Sequence, residues 1–125
     1  MNDLSRANQA VLHDWIAEQP VAIRFYRPGS HEATSDSILG DYIGRIETIS
    51  QRVYGIEMPM QRVGAGTIDT IGLVIDAVIP DVGRGDLIDA TVVYEEDAPA
   101  VIEHYRVVMA TRYTYKTDFT IERRD

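Results

Sequence analysis

Apolar residues recur every three or four positions at Leu4, Ala7, Val11, Leu12, Trp15 and Ile16, which predicts one amphipathic helix from Asp3 to Glu18. Asn2 or Asp3 can cap it. Gln19-Pro20 ends it, because the residue before a proline is pushed out of the α region. Beyond that point the period changes to two. Val21 to Arg27 reads as a strand, with Val21, Ile23 and Phe25 on one face and Arg24 between them on the other. Tyr42 to Ser50 reads as the next strand and Val53 to Met58 as its hairpin partner. Ile71 to Ile79 is apolar on both faces, which predicts a central strand in which Asp76 needs a partner. Asp86 to Ile88 and Thr91 to Tyr94 are short strands, and Glu95-Glu96-Asp97-Ala98-Pro99 is a tight reversal. Val101, Tyr105, Val107 and Met109 then share one face of a strand, and Tyr113, Tyr115, Phe119 and Ile121 share one face of the last.

Short strands with turn signals between them predict a mainly β fold, a small antiparallel β-barrel or sandwich with an N-terminal α-helix. The whole chain, 1–125, reads as one domain, with the helix in 1–19 and the barrel in 20–125. Residues 28–41 and 59–69 read as long loops, the first polar from His31 to Asp41 and the second containing Gly64-Ala65-Gly66. Both exceed the usual connection length, which makes them candidates for partner contacts.

Composition narrows the picture. A chain of 125 residues can bury one core without staples. The absence of cysteine excludes disulfides, thiolate metal sites and thiol nucleophiles. The segment Met1 to Ser5 lacks the pattern of a signal peptide and no apolar run reaches about 18 residues, so a soluble, unexported protein without membrane contact is expected. The net charge of -8 is concentrated, since residues 69 to 103 hold nine acids against one base, Arg84. Elsewhere eleven bases balance eleven acids, and all of those bases but Lys116 are arginine. Arginine is enriched at protein interfaces where lysine is depleted, so the bias suits an assembling protein, as it would also suit a GC-rich genome. The acidic segment disfavours tight binding to phosphate backbones.

No reactive constellation emerges, and no enzyme activity, cofactor or metal is expected. His31-Glu32 begins like a zinc-protease helix, but Ser35 stands where the second histidine is required. His13 falls on the polar side of the helix and His104 on the outer face of its strand. Gly64-Ala65-Gly66-Thr67 precedes no helix that could present amides to a phosphate, and Arg84-Gly85-Asp86 falls where a turn is expected, with Gly83 and Gly85 as turn glycines. The acids at Glu95 to Asp97 are expected to be solvated, whereas acid-base catalysis needs one shielded carboxyl; Asp76 is the one acid in an apolar strand.

The order of features resembles the small head-tail joining proteins of tailed bacteriophages, the head-completion, stopper or adaptor class. The likeness lies in the early strand Val21-Ala22-Ile23-Arg24-Phe25-Tyr26, a long polar loop, a central apolar strand, the Gly-Asp-Leu-Ile step at Gly85 to Ile88, and Tyr-Arg-Val-Val at Tyr105 to Val108 before a terminal hairpin. The resemblance implies a structural component of the virion neck, a homo-oligomeric ring between the portal or adaptor protein and the tail proteins, assembled in the host cytoplasm. DNA would pass through without specific binding. It further implies Asp81, Asp86, Asp89, Glu95, Glu96 and Asp97 as channel or rim acids, and Trp15, Arg27, His31, Asp36, Arg62 and Thr67 as inter-subunit contacts. The helix before the first strand departs from the pattern and leaves adaptor, stopper, tail terminator and other tail or baseplate proteins open. A small β-barrel ligand-binding protein or enzyme built around Asp76 or His104 is the alternative of a different class. A nucleic-acid-binding barrel would rest on Tyr113, Tyr115, Arg112 and Lys116.

Overall fold

A computed structural model describes residues 3–28, 37–53 and 66–124. One helix, α1 (Asp3–Glu18), precedes six strands: β1 (Val21–Arg27), β2 (Ser37–Val53), β3 (Gly66–Ile75), β4 (Leu87–Val92), β5 (Val101–Arg112) and β6 (Thr117–Arg123). They close into an antiparallel barrel in the order β1-β2-β3-β6-β5-β4. Closure follows from alternation, because one parity of every strand is apolar and can fill the interior of so small a barrel. Phe25, Leu73, Ile88, Ala90, Val107 and Phe119 form its centre, with the Phe25 ring 5.8 Å from Tyr42 edge-on and 5.0 Å from Phe119.

The long strand β2 turns the corner of the barrel. Residues up to Gly44 pair with β1, and from Gly44 onward they pair with β3, so Gly44 faces Val21 on one side and Ile75 on the other. There is no room for a side chain there: a Cβ would lie 2.8 Å from the Val74 carbonyl oxygen and 2.8 Å from Leu73 Cδ1. A bulge at Leu39 bends the start of the same strand, and Gly40 beside it takes a φ of 154°, a conformation that side chains rarely adopt.

Several boundaries differ from those expected. Ser37 to Asp41 is strand, because these residues pair with β1 from Arg27 to Arg24. Val53 ends β2 opposite Gly66 and does not open a hairpin partner; residues 54–58 lie outside the described residues. The loop expected over 59–69 is strand from Gly66. Residues 87–92 form one strand where two were expected, since all of them pair with β5. A bulge at Val108 reverses the parity of β5, so Met109 faces outward, and Tyr113 and Tyr115 fall in the turn before β6 rather than on it.

The largest departure is the apolar run after Ile75. β3 ends there, and residues 76–86 cross the barrel end to β4, the strand diametrically opposite. Ile79 and Val82 are apolar because they fill that end from above. Thr117 Oγ1 accepts the Ile79 N–H at 3.0 Å and donates to the Ala77 carbonyl at 2.8 Å, while the Arg112 guanidinium holds the carbonyls of Ile79, Pro80 and Val82. Of the amphipathic stripe on α1, Ile16 is buried, yet Leu4 and Val11 are each 70% exposed. The helix is held near its C-terminal end by Arg45, which stacks 4.2 Å over the Trp15 ring and donates to the Trp15 carbonyl and the Glu18 carboxylate.

Candidate functional site

With one end plugged, the other end of the barrel is a mouth. Glu103 shares its inward parity with Tyr105 and Val107, and Arg123 shares its own with Phe119 and Ile121, so both charges point into the barrel at its rim. They pair at 3.2 Å, and the Tyr105 hydroxyl donates to the other Glu103 oxygen at 3.2 Å. The Glu103 carboxylate nearby also pushes the Tyr94 hydroxyl up. Burial, together with the Glu103 charge beside it, pushes the Tyr105 hydroxyl up to about 12. At this rim lies a cavity of about 720 Å³, lined by Ile46, Ile71 and Val92 together with Thr48, the link from Glu18 to Pro20 and the rim groups themselves. The signal was present in the sequence as two opposite charges on the inward parity near the ends of paired strands. Asp76, the one acid in an apolar run, lies elsewhere.

Asp76 lies just past β3, where its Oδ2 sits 2.7 Å from His13 Nδ1, and Gln9 of α1 bonds its carbonyl. It anchors the helix. His104 is partly exposed as expected, with Nδ1 2.7 Å from Asp89 Oδ1. Asp89 also accepts from the Tyr26 hydroxyl at 3.2 Å.

Not all of the expected channel or rim acids face solvent. Asp86 is buried at 4% exposure and cannot line a channel: Arg27 grips it at 2.9 and 3.0 Å, and the Gly83 N–H donates at 2.8 Å. Burial alone pushes its carboxyl up, but these hydrogen bonds outweigh it and hold it below the ordinary carboxylate range. Arg27, expected at a subunit contact, spends its guanidinium on Asp86 and the Asp81 carbonyl. Asp76, Asp89 and Glu103 are likewise paired with bases from outside the acidic segment. Asp81 is exposed at the plugged end, and Glu95, Glu96 and Asp97 are exposed beyond β4 at the open end, in a reversal closed by the Ala98 N–H on the Glu95 carbonyl. Of the expected contact residues, Trp15 is half-buried under Arg45. Thr67 lies on β3, and His31, Asp36 and Arg62 lie outside the described residues.

The outer wall carries a second feature. Across β2, β1, β4 and β5, register places Ile43, Ala22, Thr91 and Ile102 in one row, and Asp41, Arg24, Asp89 and His104 in the next. Ile43 and Ile102 are 53% and 58% exposed. Arg24 holds Asp41 with two bonds of 2.7 and 3.0 Å, and the hydrogen bond from that guanidinium lowers the Asp41 carboxyl. Two exposed isoleucines thus stand beside a row of ordered charges.

No three His, Asp or Glu side chains come together as a metal-ligand set among the described residues, and no described helix is long and apolar enough to cross a membrane. No family model, curated protein or solved structure gives a match to this chain.

Proposed function

We propose that this chain is a structural joining protein of a tailed-phage neck, a component that works by stacking against copies of itself and neighbouring rings around the DNA channel. The observation that carries the reading is the distribution of apolar surface. The barrel centre is filled by side chains, while large apolar residues stand exposed on the wall at Ile38, Ile43 and Ile102, at Val108 and Met109 of β5, and at Leu4 and Val11 of α1. This is a surface for protein contacts on a rigid support. In this reading Asp81 at one end of the barrel and Glu95, Glu96 and Asp97 at the other are the acids left to face the channel or its rim, and a negative wall would let DNA pass without holding it. Electron microscopy of the purified chain and immunodetection in phage particles test it. Annular oligomers and presence in the neck are expected; a strict monomer absent from purified particles refutes the proposal.

A second reading rests on the mouth. A cavity of about 720 Å³ at a barrel mouth is of a size that holds small ligands, and the Glu103–Arg123 pair at its rim would favour an apolar molecule with an uncharged polar end that both donates and accepts. Medium-chain alcohols should then raise the melting temperature of the wild type and not of Arg123→Ala. No shift in either would end this reading.

A further inference from the structure

The four-strand outer wall carries a row of charges that is complementary to its own reverse. Read across β2, β1, β4 and β5, the charged row runs Asp41, Arg24, Asp89, His104, alternating between acid and base. Turned about a two-fold axis parallel to the strands, this row reads in reverse and faces its own complement. Arg24 then meets Asp89 of a second copy, Asp89 meets Arg24, and Asp41 meets His104. The same rotation sets Ile43 against Ile102 and Ala22 against Thr91 in the neighbouring row. Two-fold dimers of identical chains use this kind of isologous contact, whereas a ring closes through a separate heterologous one.

Side-chain length supports the same occupant. A barrel wall is convex, so two walls would touch along one line if every side chain were equally long. Here the two middle strands carry the short residues Ala22 and Thr91, and the outer strands carry the long residues Ile43 and Ile102. In this row short crests and long flanks leave a shallow depression, about 670 Å³ in volume, which Arg24, Asp41 and Asp89 of the charged row border on one side. A two-fold-complementary patch fits another copy of itself better than it fits a polyanion, since the row sets two carboxylates beside one arginine and that arginine faces a carboxylate of the second copy.

We infer that this face is a two-fold homodimer contact centred on Arg24 and Asp89. Four strands about 4.8 Å apart make a footprint at the small end of specific interfaces, so the dimer should be concentration-dependent. Arg24→Glu and Asp89→Arg each set like charges against one another in the homodimer. When the two variants are mixed, the glutamate introduced in one copy meets the arginine introduced in the other. The unaltered Asp89 of the first then meets the unaltered Arg24 of the second, so complementarity returns.

Sedimentation velocity on the full chain tests this. Expected are a wild-type dimer, single variants weakened by about tenfold or more, and a heterodimer on mixing that approaches wild-type affinity. Rescue on mixing also shows that both variants fold. A wild type that stays monomeric at high concentration, or a dimer unaffected by these variants and by Ile102→Asp, overturns the inference. The neck reading fails separately: dimers that never form rings or enter particles leave this contact standing, and rings indifferent to Arg24 and Asp89 leave the neck reading standing without it.

Discussion

Replacing Gly44 with alanine tests the claim that the barrel closes through a corner with no room for a side chain. The new Cβ would sit 2.8 Å from Leu73 Cδ1, 2.8 Å from the Val74 carbonyl oxygen and 2.9 Å from Ile75 Cγ1, where ordinary contact begins at 3.4 Å. Leu73 and Ile75 are fully buried, and Val74 is held in the β2–β3 ladder opposite Arg45, so relief requires the backbone to move. Overpacking of this kind costs about 1–3 kcal/mol. The lost flexibility of the unfolded chain returns about 0.4–1 kcal/mol. A net loss of about 1–2 kcal/mol corresponds to roughly 4–10 °C in melting temperature for a chain of this size. Gly83→Ala is the matched control, since nothing lies within 4 Å of its would-be Cβ and its φ is not positive. It should melt at or slightly above the wild type. Thermal unfolding followed by circular dichroism reads both, and a Gly44→Ala protein as stable as the Gly83→Ala protein would refute the corner argument.

Three further outcomes follow from the plug and the mouth. Thr117→Val should cost about 1–3 kcal/mol in urea unfolding, because the buried Ile79 N–H and the Ala77 carbonyl lose their shared partner. Asp86 is lowered when folded, so the unfolded chain takes up its proton at a higher pH than the native state does; this stability is present above pH about 4 and is lost as acid titrates the native carboxyl. Asp86→Asn should therefore be less stable at neutral pH and show a flatter acid limb. Tyr105 is raised from 10.0 to about 12, so its contribution is complete below pH 10 and disappears as pH rises through 12. Ultraviolet titration of tyrosinate should show Tyr105 ionising late, with Tyr94 beside the same carboxylate also delayed, and Glu103→Gln should bring both steps to lower pH.

The elements that were legible in the sequence are those whose pattern is local. The helix boundaries Asp3 and Glu18 follow from a cap and a proline, and Val21 to Arg27 and Phe119 to Ile121 follow from strict alternation against the core. The inward charges Glu103 and Arg123 were legible in principle, by parity, although what they form at the rim was not. Where the reading went astray, the cause lay in contacts between distant segments. Ile79 and Val82 extend an apolar run that looks like strand, and only the crossing from β3 to the opposite strand β4 makes it a plug. Asp86 looks like a surface acid until Arg27, 59 positions away, closes on it.

By itself, then, the sequence determined a helix followed by alternating strands, a core of one parity and an acidic segment, because periodicity and charge are properties of neighbouring residues. Tertiary structure alone decided which acids remain free, which end of the barrel is open and which charges line up across four strands. Those depend on register and closure, which bring together residues whose separation along the chain carries no trace of their meeting.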